Sequence, residues 1–566
     1  MRFIFFLFLI VSPLLSNPID SVLKEIQILD AFLYVDNFPN NRHPDSLVSR
    51  SFEDYSKAYN KFLKVHKKLK KIPHIFLHKE DLITKKILEL KIKNTINELQ
   101  HKSYLIPFSS EGGFFNRIIF NLPNLPLNTK EDLENYNRWL KLYPEYLNSY
   151  KKLMEKGIQE GILAPKIVVD NAIKLMLPFT SNEANVNPFK SVLSKNLEGS
   201  EKIQEKINQT ILFQIIPAYQ QLIEFTKNEY RPACPDKPGI ININNGKIFY
   251  ENKVKYYSTL NITPDSVFNL GKKEVARIKS QMQAIIDDLK FEGTFNDFLN
   301  ELRHNSSFYA KSEQELLNYA AWLSKKAEGQ LPKYFSNLYE LPFTVEPVPL
   351  NIAPNYTAGR FIHGSRVNNK PGIYWVNTYD LKSRTLYTLP ALTLHEAVPG
   401  HHLQIQRAAE IENLNEFRRN YYISAFGEGW GLYAEFLGEE MGMYDNPYDL
   451  FGRFTYEMWR ACRLVVDVGI HYRDWSREKA VKFMQENTAL SLREVNTEID
   501  RYIGWPGQAI SYKIGEIVIK ELRQKAELEL GNKFNIQEFH EIILGNGSVT
   551  LPILIENVNQ WIKSKE

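Results

Sequence analysis

Residues Leu392–Gln404 read LTLHEAVPGHHLQ and place His395, Glu396, His401 and His402 within eight residues. Many zinc hydrolases carry H-E-x-x-H, two His four apart on one helical face with the Glu as base. Here the fourth position after His395 is Pro399, which offers no ligand atom. On an unbroken helix His401 lies about 240° round the axis and roughly 9 Å along it, on the wrong face. Pro399 removes a backbone donor and clashes with the carbonyl of residue 395. It also disfavours the α conformation at Val398, while Gly400 accepts whatever backbone angles follow. The expectation is a bulge at Pro-Gly that returns His401 to the ligand face. His402, seven residues on, shares a face with His395 only on a straight helix, and then about 10 Å away. His401 is therefore the expected second ligand.

Catalytic zinc commonly takes three protein ligands and a water. The candidate third ligand is Glu428 in SAFGEGWGLYAEFLGEE, 27 residues after His401. That separation lets the chain turn and run back on a second helix. Glu435 is the competitor, seven residues later on nearly the same face. Glu439 and Glu440 read as ordinary solvated acids. Gly427, Gly429, Trp430 and Gly431 around Glu428 point to close packing rather than open solvent. Their GxGxG string has no strand-turn-helix context for a dinucleotide.

Working outward, most of the chain repeats apolar residues at spacings of three and four, as in IDSVLKEIQILDAFLYV, NRWLKLYPEYLNSYKKLMEKGI and VFNLGKKEVARIKSQMQAIIDDL. Thr263-Pro264-Asp265 reads as a helix start. Two stretches read differently. GIININNGKIFYENKVKYYSTL alternates around Asn245-Gly246, a hairpin signal. FTVEPVPLNIA and GIYWVNT read as strands, with GSRVNNKPG as the turn between them. The expected fold is mainly α: a large two-lobed helical body with a deep cleft and a small β element before the His-bearing helix. Its parts are 17–235, helical; 236–378, hairpin, helices and small sheet; and 379–566, the helices of the metal site, all within one domain, 17–566.

Composition narrows the function classes. Gly and Pro together are about a tenth of 566 residues, which excludes collagen-like and low-complexity chains. Aromatics at 13% and an ordinary charge fraction exclude disorder. A net charge of +4 makes no case for nucleic acid. Two cysteines cannot build a disulfide scaffold or a Cys-rich metal module. Cys234 and Cys462 either pair with each other or are buried free thiols. Met1-Arg2 followed by the apolar run Phe3–Leu15 and then Ser16 fits a signal peptide over residues 1–16. The expectation is export to the periplasm or beyond, with membrane anchoring if the run is retained. No second apolar run of about 18 residues follows, so no membrane insertion of the mature chain is expected.

The elements HEAVPGHHLQ, EGWGLYAE, RLVVDVGIH and RYIGWPGQAISYKIG, in this order, resemble family 885 of the bacterial domains of unknown function. The likeness extends to NNGKIFYENKV, PGIYWVNT and SVTLPILIENVNQWI. The family is similar at a distance to gluzincin metallopeptidases such as thimet oligopeptidase and the Taq-type carboxypeptidases. That resemblance implies a helical fold split by a cleft, with zinc held by His395, His401 and Glu428 and with Glu396 as general base. It also supports Tyr512 as donor to the oxyanion, with Tyr502 as runner-up. His471 is a further candidate for bonding substrate. Arg501 and Arg463 are candidate forks for a substrate carboxylate. The strand GIYWVNT could pair with an extended peptide, with Asn377 adding a side-chain contact. The expected activity is a zinc-dependent peptidase acting on a short peptide or small amide. The alternatives are a zinc amidase or esterase, or a non-catalytic binding protein. Neither a GxSxG nor a P-loop motif is present.

Overall fold

The computed structural model describes residues 17–34, 47, 50–120, 122, 125, 127–194, 197–350, 352–366 and 368–565. The expected signal peptide lies outside the described residues. The fold is mainly α, as expected. In chain order the principal elements are α1 (Pro18–Tyr34), α2 (Phe52–Lys70), α3 (Lys79–Gln100), α4 (Lys130–Glu160), α5 (Lys166–Met176), α6 (Gly246–Ser258), α7 (Pro264–Asp288) and α8 (Glu313–Tyr334). Then come β1 (Phe343–Pro347), β2 (Gly359–Ile362) and β3 (Gly372–Val376). The site helices follow: α9 (Leu389–Glu396), α10 (His401–Glu410), α11 (Ser424–Glu440), α12 (Pro447–Arg473), α13 (Leu492–Gly504), α14 (Ser511–Leu530) and α15 (Leu551–Lys565). Shorter helical segments join them. Among the described residues no helix is long and apolar enough to cross a membrane.

Local chemistry sets the helix starts. Thr263 caps α7 by accepting from the Ser266 amide, with Pro264 in the first turn. Asn446 caps α12, and Ser491 with Glu494 forms a capping box on α13. Most of the buried apolar side chains join into one cluster running from Ile19 to Ile562. Helix α12 is its axis, and nearly every residue from Phe451 to His471 is buried. It packs along α7, where Gly271 lets the backbones close: a Cβ there would lie 2.6 Å from that of Leu464. Helix α11 packs along α14, where Gly429 and Gly515 meet.

Two sequence expectations are corrected. The Asn245-Gly246 hairpin is instead the start of α6. Asn245 does take the left-handed conformation, at φ 57°, but the chain then coils. Phe249, Tyr250, Lys253, Val254 and Tyr257 are buried, a helical spacing that the β-prone composition masks. The small sheet has the order β1–β3–β2, with β1 parallel and β2 antiparallel to β3. Strand GIYWVNT is therefore central and has no free edge for a peptide. The turn GSRVNNKPG joins it to β2, a strand that the alternation of FTVEP and GIYWV did not reveal. The two cysteines are free and buried apart from any disulfide.

Candidate metal centre

Helix α9 ends at Glu396, and Ala397–Gly400 form the expected break before α10. The Val398–Pro399 bond is cis. Gly400 cannot be replaced without conflict, because a Cβ would fall on the His395 carbonyl. The Trp430 indole donates to the Pro399 carbonyl at 2.8 Å and ties the break to α11.

The break brings His401 back to His395, as expected, with ring centroids 4.7 Å apart. Glu428 Oε2 lies 3.5 Å from His395 Nε2 and 3.4 Å from His401 Nε2. One ligand atom from each of the three falls within 4.8 Å of the others. Ligands about 2.0–2.1 Å from a tetrahedral zinc sit roughly 3.3 Å apart. Two imidazole nitrogens and a carboxylate oxygen at these separations fit that ion.

Each glycine of the GxGxG string makes room for one neighbour. A Cβ at Gly431 would stand 2.6 Å from the His395 ring, one at Gly427 would strike Tyr422, and one at Gly429 would lie 2.5 Å from Gly515. The last contact draws α14, with Tyr512, against the site.

Surrounding groups orient the set. His395 Nδ1–H donates to Glu435 Oε1 at 2.8 Å, which turns Nε2 toward Glu428 and His401. Glu435 is thus the partner of a candidate ligand rather than a ligand itself, the arrangement usual behind a metal-bound His. Burial alone would lower the His395 pKa, but Glu428 and Glu435 outweigh it and hold it up at about 9. Burial likewise opposes ionisation of Glu428, yet the two imidazoles keep its pKa well below the usual carboxylate range. The Tyr422 hydroxyl donates to Glu428 Oε1 at 2.9 Å, leaving Oε2 for the histidines. No sequence spacing pointed to Tyr422. His402 turns away, its ring among Tyr339, Phe343 and Phe361, and burial lowers its pKa to about 4.

The cluster opens on a cavity of about 440 Å³ walled by α3, α6, β2 and α9 through α14. Glu396 lines it and accepts the Phe361 amide of β2 at 2.8 Å. Tyr512 lines it too, its ring 6.3 Å from that of His395 and nearly parallel. Arg463 and Arg501 face the same cavity.

Three other candidates do not reach it. Asn377 donates to the carbonyls of Ala353, Tyr356 and Thr357, so its amide pins a loop beside the sheet. His471 accepts the Ile240 amide at Nδ1 and donates from Nε2 to the Tyr502 carbonyl. Both its nitrogens are spent on backbone, and burial lowers its pKa to about 4. The Tyr502 hydroxyl accepts from Trp459 and Arg463, and so positions the arginine rather than meeting a substrate.

Fold and site together define a mainly helical protein with a His–His–Glu cluster on a cavity wall. The chain belongs to the family described as bacterial protein of unknown function (DUF885), whose model matches residues 40–558. It is similar to a solved structure described as "the putative lipoprotein from Colwellia psychrerythraea", at 27% identity and a TM-score of 0.86 over 96% of this chain and 97% of that one. A second, described as "a putative lipoprotein of unknown function from Shewanella oneidensis", shares the fold at 15% identity and a TM-score of 0.72, over 96% and 99%. No curated protein matches the chain.

Proposed function

We propose that the protein is an exported zinc-dependent peptidase acting on short peptides. The observation that carries this reading is the meeting of His395, His401 and Glu428 beside Glu396 on one cavity wall. Bound zinc would polarise a substrate carbonyl and lower the pKa of a water toward 7. His395, oriented by Glu435, and His401 would hold the ion together with Glu428. Glu396, anchored through one oxygen by the Phe361 amide, keeps the other for a proton. It would take that proton from the attacking water and pass it to the leaving amine. Tyr512, on the cavity wall with its ring 6.3 Å from that of His395, would donate to the developing oxyanion. The outer edge of β2, not that of β3, is where an extended peptide could lie. Export is supported by the run Phe3–Leu15 and by the description of the two structural relatives as lipoproteins.

The test is metal analysis combined with hydrolysis of a mixed peptide library. The native protein is expected to hold about one zinc per chain and to cleave, and Glu396→Gln to hold zinc without cleaving. His401→Ala should lose the zinc and His402→Ala keep it. Zinc at one per chain with no peptide cleaved by the native protein would end the peptidase reading.

A further inference from the structure

The wall facing the metal cluster is built of arginines. Arg460 and Arg463 lie one turn apart on α12, and both guanidinium groups stack on Trp459 at 4.3 Å. Arg501 of α13 joins them across Glu498. Bases outnumber the acids free to pair with them there. Glu498 Oε2 accepts from Arg463 at 3.1 Å and from Arg501 Nε and Nη2 at 3.2 and 3.0 Å, so one carboxylate serves two cations. Arg501 also reaches Gln508 at 2.7 Å, which completes its fork. The carboxylate nearest Arg460 is Glu435, at 3.3 Å, and Glu435 is already shared with His395.

Arg463 is 2% exposed. Its Nε donates to Tyr502 and its Nη2 to Glu498, but its Nη1 is buried with no protein partner. A buried donor left unpaired is costly, and a charged one more so. This donor belongs to a side chain that lines the cavity. Its guanidinium also lies 4.2 Å from the Tyr512 ring, which is itself 6.3 Å from the His395 ring. The whole path from ligand ring to guanidinium is thus at most about three extended residues long, at roughly 3.5 Å each.

We infer that Arg463, held by Glu498 and Tyr502, receives the free C-terminal carboxylate of the peptide, so that the substrate is a chain end, cut within its last few residues. This rests on the peptidase reading only for where the cut falls; binding of the carboxylate stands apart from it. A carboxylate there would supply the missing acceptor for Nη1 and offset the extra positive charge of the wall. Arg501, with all three of its nitrogens engaged by Glu498 and Gln508, positions Glu498 rather than gripping the ligand.

The test uses binding, not turnover. Trialanine, trialanine amide and N-acetyl-Ala-Glu-Ala amide are titrated by calorimetry into zinc-loaded Glu396→Gln protein. The free acid should bind at least about tenfold more tightly than the amide, as expected of one charge-assisted pair. Equal binding of acid and amide overturns the inference. If the Glu-containing amide matches the free acid, the site reads side-chain carboxylates, and the terminal assignment is likewise overturned. In Arg463→Lys, which keeps the charge and loses the fork, the preference should shrink, while in Arg463→Met it should vanish. The acid-to-amide comparison on unaltered arginines decides the matter even if Arg463→Met fails to fold. Should the native protein cleave nothing yet keep the acid preference, the peptidase reading fails and the carboxylate site stands. Should it cleave acid and amide equally well, the reverse holds.

Discussion

Two polar clusters are buried along the same helices, and they do opposite things. In one, Glu457 of α12 and Lys513 of α14 pair at 2.6 Å, and Arg453 reaches Glu457 at 2.9 Å. Lys513 also meets Glu516 and Glu274, and Arg277 closes the ring on Glu274 and Glu457. Every charge there has an opposite charge, and α7, α12 and α14 are tied together. In the other, one turn along α12 and one residue along α14, Arg460, Arg463 and Tyr512 face a cavity. There the carboxylates converge on histidines, and two guanidinium nitrogens, Arg460 Nε and Arg463 Nη1, are left over. Burial of charge is common to both. Only the second leaves ligand atoms converging on open space, and that supports reading it as the metal site.

The comparison can be broken by substituting one residue in each cluster. Glu396→Gln should lower peptide turnover by about 10²–10⁴-fold, the usual worth of a general base, with the melting temperature unchanged. Turnover within threefold of native would remove Glu396 from the mechanism. Lys513→Met leaves Glu457 and Glu516 without their central cation. It should destabilise the fold by about 3–5 kcal/mol, the effect of breaking a buried pair, while zinc per folded chain stays the same. Chemical denaturation read by circular dichroism checks the first part and metal analysis the second.

His471 tests on which side of this division a residue falls, and also how far the sequence could be read. The sequence revealed the helical body, the break at Pro399-Gly400 and four of the cavity's acidic and imidazole groups, His395, Glu396, His401 and Glu428, because ligand chemistry and periodicity are local. It could not say that His471 faces backbone while Arg463, two turns earlier on α12, faces the cavity. That depends on which neighbour each side of a wholly buried helix meets. Nor could it show that β2 rather than β3 offers an edge, which depends on β1 pairing with β3, or that Tyr422, six residues before Glu428, turns back to bond it, which depends on how the chain enters α11. For His471 the structure predicts a stability effect rather than a catalytic one. Its pKa falls from 6.5 to about 4 on folding through burial, so the unfolded chain binds the proton more readily. Native stability is therefore full above about pH 6.5 and declines as pH falls toward 4, by about 3 kcal/mol from this one group. His471→Gln can still accept from Ile240 but does not titrate. Its stability deficit should shrink on acidification by that amount, with the pH profile of turnover unmoved. Denaturation series at pH 7, 6, 5 and 4 measure this, and a shifted turnover profile would return His471 to the site.

The smallest effect is expected at Glu435, behind the cavity cluster. Its carboxylate touches both His395 and Arg460, so it could act as scaffold or as support for the metal site. The geometry favours support: it accepts the Nδ1 proton of His395 and so fixes Nε2 as the ring atom that faces Glu428 and His401. Glu435→Gln keeps an acceptor for that proton but removes the charge that makes the imidazole a better ligand. Zinc affinity should drop about 10–100-fold, as for other partners of metal-bound histidines. Stability should suffer less than in Lys513→Met, because Arg460 remains stacked on Tyr456 and Trp459. Competition with a chromophoric chelator gives the affinity, and denaturation gives the stability. If Glu435→Gln instead destabilises as strongly as Lys513→Met and leaves zinc affinity intact, Glu435 belongs with the paired scaffold. The boundary between the two clusters would then run through the candidate ligand His395 itself.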